Sequence, residues 1–177
     1  MLFHSIRAFI VRLKSCGAVK FDGRCRISPG AIFEAGKGGC VRIGHNCDVR
    51  HGAMILGFGG RVRLGRNVSL NPYSIIYGHG GVNIGDDVRI AAHVVIVAFN
   101  HRFADRDKPI KKQGNTKKGI EIGNDVWIGA GAKILDGTRI ADGCVIGANA
   151  VLSGQTVPFG IYAGAPAKLI KLRGAPG

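Results

Sequence analysis

The chain has 177 residues, 46% hydrophobic and 20% charged, which is enough apolar material for one packed domain and too much for a disordered one. Its 25 lysines and arginines against 11 acidic residues give a net charge of +14, which admits nucleic acid, an anionic membrane surface or a phosphorylated small molecule as partner. No RNA- or DNA-binding motif is present and the aromatics do not interleave with basic runs, so nucleic acid is set aside. The 29 glycines follow no triplet period and form no cluster, so they indicate many tight turns rather than collagen or a linker. The five cysteines, Cys16, Cys25, Cys40, Cys47 and Cys144, form no CxxC pair and are odd in number, which suits a reducing compartment. With no signal-peptide pattern and no apolar run of about 18 residues, a cytoplasmic protein is expected.

Residues 1–15 place Leu2, Phe3, Ile6, Phe9, Ile10 and Leu13 at roughly helical spacing, with Arg7, Arg12 and Lys14 among them. This segment reads as a short helix capping one end of the fold. The sharper alternative is a basic amphipathic helix resting on an anionic membrane, which would put the protein at the inner membrane surface.

From residue 19 the chain keeps a count of six. Phe21, Ile27 and Phe33 form one set of three, followed by Ile43, Val49 and Ile55, then Leu64, Leu70 and Ile76, then Ile84, Ile90 and Ile96. After a gap the count resumes without interruption at Ile122, Ile128, Ile134, Ile140, Ile146 and Leu152. Two residues before each stands a small or β-branched partner, for example Cys25, Ala53, Ser74, Val94, Thr138 and Ala150. A helix would need three- and four-residue spacing, so a fixed repeat of six indicates a parallel β-helix. Three sixes per set give a coil with three sides, and six coils at the strand spacing make a prism roughly 29 Å tall. The partner positions face the narrow axis, so Cys25, Cys47 and Cys144 serve there as small hydrophobes. Gly44-His45-Asn46, Gly65-Arg66-Asn67, Gly85-Asp86-Asp87 and Gly123-Asn124-Asp125 supply residues that tolerate left-handed backbone, so they read as corners and not as an acidic site.

Extra residues interrupt the count after Phe33, Ile55, Ile76 and Ile96, always after the third side. The first three insertions have four, three and two residues, and the last has twenty. All four therefore leave from one corner of the prism, and the long loop 97–121 begins with Phe99-Asn100-His101. A loop of that length inside a compact domain is commonly functional. The β-helix spans 19–157, and residues 158–177 leave the count as a C-terminal appendage.

Asn100-His101-Arg102, the loop, and then Ile122-Gly-Asn-Asp-Val-Trp-Ile-Gly-Ala130 resemble the hexapeptide-repeat acyltransferases, a family that includes galactoside and maltose O-acetyltransferases and streptogramin acetyltransferases. Val145-Ile-Gly-Ala-Asn-Ala-Val-Leu152 and Gly164-Ala-Pro-Ala-Lys168 extend the resemblance over residues 19–173. It implies an all-β fold, a left-handed parallel β-helix, and a homotrimer with active sites between subunits. The implied activity moves an acetyl group from acetyl-CoA to a hydroxyl of a sugar or glycan precursor. His101 matches the family's catalytic histidine, a base with a suitable pKa for an alcohol. The backbone N–H of Ala130 matches the oxyanion donor. Asn71 and Trp127 match the acceptor side, while Ala148, Lys168, Lys171 and Arg173 match positions that meet coenzyme A. The chain departs from its relatives at Ser153-Gly154, where they often carry Thr-Lys, which leaves the phosphate contacts less defined.

Within this reading, N-acetylation of an amino sugar and O-acetylation of an antibiotic are alternatives that the local sequence does not separate. The γ-type carbonic anhydrases share the β-helix and hold zinc with three histidines. Here His45, His51, His79, His93 and His101 show no His-x4-His pair, so no metal is expected. A non-catalytic scaffold is the remaining alternative.

Overall fold

The computed structural model describes residues 10–11 and 16–174. They form a three-sided parallel β-helix of six coils, all-β as expected and fitting the left-handed class. The first face stacks Val19–Phe21, Cys40–Ile43, Arg61–Leu64, Val82–Ile84, Ile120–Ile122 and Arg139–Ile140. The second stacks Arg26–Ile27, Asp48–Val49, Ser69–Leu70, Arg89–Ile90, Trp127–Ile128 and Val145–Ile146. The third stacks Ile32–Glu34, Met54–Leu56, Ile75–Tyr77, Val95–Val97, Lys133–Ile134 and Val151–Leu152.

The register follows the count of six. Ile90 lies opposite Leu70 and Ile128, and Ile96 opposite Ile76 and Ile134, so each aliphatic residue sits on its equivalent one coil away. Sixteen of the eighteen counted positions are buried; only Phe21 and Phe33 of the first coil are half-buried, packed edge to face at 5.8 Å. Small partners fill the axis beside them. The two polar ones are satisfied: Ser74 Oγ donates to the Ala91 carbonyl at 2.7 Å, and Thr138 Oγ1 to that of Leu135 at 2.6 Å. Cys25, Cys47 and Cys144 are buried and unbridged, each directing its thiol at a carbonyl 3.1 Å away. The adjoining Cys25 thiol and burial push the Cys47 thiol up, away from thiolate chemistry.

The corners after the first face run a polar ladder. Asn46 Nδ2 donates to Asn67 Oδ1 at 2.8 Å, and Asn67 Nδ2 to Asp87 Oδ1 at 2.9 Å, with all three residues at positive φ. Asp86 accepts from the Arg66 backbone N–H at 2.7 Å and from its guanidinium, and these bonds hold its carboxyl below the ordinary aspartate range. These residues build turns, as their sequence indicates.

The outer surfaces differ by face. Lys20, Arg42, Arg63, Asn83, Glu121 and Arg139 form the outward column of the first face. On the third face the corresponding column is Ile32, Met54, Ile75, Val95, Lys133 and Val151, five apolar residues of six.

Two ends complete the prism. The predicted helix 1–15 lies almost wholly outside the described residues, although residues 10–11 are helical and Val11 packs against the core. The C-terminal segment leaves the count but not the sheet. Gly160–Ala163 pairs in parallel with Val145–Ile146 as a seventh rung of the second face, and Lys168–Leu172 folds back antiparallel along it. That return strand covers the last edge. No helix among the described residues is long and apolar enough to cross a membrane.

Candidate active site

The long loop leaves the third-face corner where the shorter insertions stack beneath it. Aromatic side chains from the last three of the four insertions form a column there. Phe58 stacks on Tyr77 with ring centroids 6.1 Å apart and lies 4.7 Å from His79; His79 packs on Phe99 at 4.1 Å, and Phe99 meets His101 edge-on at 5.6 Å. Burial, and then the charge of Lys117, lower the pKa of His79, whose Nδ1 is buried without a hydrogen-bond partner. A packed imidazole at that position fits a support beneath His101.

The loop itself is braced. Asn100–His101 pairs antiparallel with Asn115–Thr116, and Arg102 N donates to the Gly114 carbonyl at 2.9 Å. The Gln113 amide accepts from Asp105 N at 3.0 Å and donates to the Asp105 and Lys108 carbonyls at 2.7 Å each. The returning limb is held by Asp136, whose carboxylate accepts from Thr116 Oγ1 at 3.1 Å and from Lys118 N and Gly119 N at 3.0 Å each. His101 is exposed and lines an open concavity of about 560 Å³ on the loop. Asp136→Ala is expected to release this limb, and limited trypsin digestion should then cut at Lys117 or Lys118 several-fold faster; Asp136→Asn, which keeps an acceptor oxygen, should recover part of the protection. Unchanged cleavage in Asp136→Ala would remove Asp136 from this role.

The other predicted residues lie on the second face and the corner that follows it. Asn71, Ala91, Gly129 and Gly147 begin that corner in successive coils, each N–H donating to the next coil. Asn71 Nδ2 also donates to the Ile90 carbonyl at 2.8 Å, so its amide is partly committed to the ladder, leaving Oδ1 and one N–H available. Ala130 and Ala148 follow Gly129 and Gly147 at the turn; both are exposed, and neither backbone N–H donates to another group among the described residues. The coils come close here: a Cβ on Gly129 would stand 2.6 Å from Ala148 N, so glycine is needed for the two turns to stack. Trp127 is 56% exposed on the second face, one column from this corner. Lys168 pairs opposite Ala163 and Lys171 opposite Ile161, both exposed and without ion pairs among the described residues. Arg173 differs, because its Nη1 is bound to Asp125 Oδ2 at 2.8 Å and to the Gly143 carbonyl at 3.2 Å.

One chain therefore brings Ala130, Ala148, Trp127 and Lys168 to one region and places His101 at the next corner. The histidines are likewise spread out, with His45 at the first corner, His51 and His93 at the second, and His79 and His101 at the third. Among the described residues no three of His, Cys, Asp or Glu gather as a metal site. The column beneath His101 and the Asp136 clamp were missed in the sequence. The signal for the column was Phe58, Tyr77 with His79, and Phe99 in three successive insertions; the clamp had no periodic signature.

Residues 119–154 match the family described as bacterial transferase hexapeptide, six repeats. A probable acetyltransferase of Mycobacterium tuberculosis is 45% identical over 92 residues, which cover 52% of this chain and 31% of that protein. The galactoside O-acetyltransferase of Escherichia coli is 35% identical over 91 residues, covering 51% of this chain and 43% of that one. The matches thus span about a third to under half the length of these relatives. Among solved structures, the N-acyltransferase AntD of Bacillus cereus, in complex with dTDP and 3-hydroxybutyryl-CoA, superposes with a TM-score of 0.75 at 21% identity, over 93% of this chain and 88% of that one. By fold, by repeat and by relatives, the resemblance to the hexapeptide-repeat acyltransferases that the residues carry is borne out.

Proposed function

We propose that this chain transfers an acetyl group from acetyl-CoA to a hydroxyl of a sugar or glycan precursor. The observation that carries the reading is His101, exposed on a braced hairpin and lining an open concavity, with an aromatic column at its base. An alcohol is a weak nucleophile near neutral pH, so the imidazole takes its proton as the oxygen attacks the thioester carbonyl. The Ala130 N–H, unpaired among the described residues, donates to the oxyanion of the tetrahedral intermediate. The carbon–sulfur bond then breaks and His101 returns the proton to the departing thiolate, leaving the acetyl ester and coenzyme A.

The second-face corner fits the thioester arm. Ala130 and Ala148 offer small side chains and free N–H groups, and Lys168 and Lys171 stand beyond them as charges for the nucleotide end. Arg173 is paired with Asp125 and so steadies this return strand more than it offers a free charge. Asn71 Oδ1 and the face of Trp127 serve the acceptor. Both the hydroxyl and the amine of a sugar suit this chemistry, and the relatives named above include an O-acetyltransferase and an N-acyltransferase.

His101 and Ala130 occupy different corners of one chain, so the complete site forms between copies. The apolar column on the third face, beside the corner from which the loop leaves, is the surface a second copy covers, and a closed ring of three results. Sedimentation is expected to give three times the 18.6 kDa of one chain; a monomer at micromolar concentration would contradict the assembly. The catalytic reading is tested by thiol release from acetyl-CoA across a panel of sugar and amino-sugar acceptors.

A further inference from the structure

The cavity beside His101 carries more charge than a neutral acceptor can use. Four cationic side chains line it: Arg102, Lys108, Lys112 and Lys118. Lys108 is satisfied by Asp105 at 3.2 Å. The other three have no carboxylate within ion-pair distance among the described residues. Three unpaired positive charges around one concavity repel each other and raise the local potential, an arrangement that an anion relieves. The wall is also preset, because Gln113, the Arg102–Gly114 bond and the Asp136 clamp fix the segments that bear the charges. The cavity has room for a small molecule, about 560 Å³.

We propose that this cavity binds the phosphate of a phosphorylated acceptor, holding it so that a hydroxyl or amine of the attached sugar reaches His101. The assignment rests on the reading of His101 as the acceptor-side base. Phosphate suits the lining better than carboxylate does. It offers more acceptor oxygens and up to two charges, against three free cations, one of which is a guanidinium fork made for bidentate contact.

The test is titration calorimetry of the full chain, without coenzyme A, with inorganic phosphate and with acetate at matched ionic strength. Phosphate should bind at least about tenfold more tightly than acetate, and Arg102→Gln and Lys112→Gln should each weaken it about tenfold, the scale of one charged hydrogen bond. Lys20→Ala, on the first face, should leave phosphate affinity as it was. Absent phosphate binding, acetate binding as tight as phosphate, or affinity indifferent to Arg102 and Lys112 would each overturn the proposal. Because nothing turns over in this measurement, it separates the two readings. Phosphate binding without acetyl transfer to any acceptor would remove the catalytic assignment alone. Transfer to sugars with no loop-dependent phosphate binding would remove this one alone.

Discussion

His101→Ala is expected to lower kcat/KM for acetyl transfer by about 100- to 10,000-fold, the usual contribution of a positioned general base. The side chain is exposed and makes no hydrogen bond among the described residues, so its removal costs the fold little. Its ring meets the edge of Phe99. Affinity for coenzyme A, read by calorimetry, should stay within about twofold, since Ala130, Ala148, Lys168 and Lys171 lie on a different corner. The loss should fall on kcat rather than on binding. Equal turnover in wild type and variant would move the base elsewhere.

Ile90→Ala should be strongly damaging, as a truncation of a fully buried core side chain. Ile90 is fully buried in the fourth coil, between Leu70 and Ile128 on the second face. Each coil contacts only its neighbours, so the cavity left behind has few ways to collapse without breaking the register above and below. A loss of about 2–5 kcal/mol follows, seen as a lower urea midpoint with an unchanged slope at fixed protein concentration. Trp127→Ala changes a larger side chain one residue from Ile128 but faces outward and is 56% exposed, so its effect on stability should stay within about 0.5 kcal/mol. Comparable losses in both variants would mean that the inward and outward sides have been misassigned.

The fold was legible because one constraint, a narrow axis with no spare volume, repeats in every coil. It forces Ile, Leu, Val or Phe at the counted site and small residues such as Cys25 or Ala132 beside it, so packing alone writes the period. Corners were legible for a different reason: Asn46, Asn67, Asp87 and Asp125 occupy left-handed backbone, which few other residues tolerate. The exit corner of the long loop followed from counting. What it carries was less readable. The partners of Asp136 lie 17 to 20 residues earlier, in an insertion without a period, and the stacking of Phe58, His79 and Phe99 depends on loop paths that no spacing rule specifies. The tail shows the same limit. After Pro158 the count stops, yet Gly160–Ala163 still adds to the second face because an open parallel edge accepts any extended segment delivered to it. Arg173 reads in sequence as a free charge for a nucleotide, but folding back brings it to Asp125.

The central claim is that this prism joins a base on its loop to a thioester held at its second corner. It is tested most directly by thiol release from acetyl-CoA by the full chain, followed across neutral, amino and phosphorylated sugars. The predicted result is release that depends on an acceptor and exceeds hydrolysis, and that disappears in His101→Ala. Acetyl-CoA that binds yet gives no acceptor-dependent thiol with any of these sugars would contradict it.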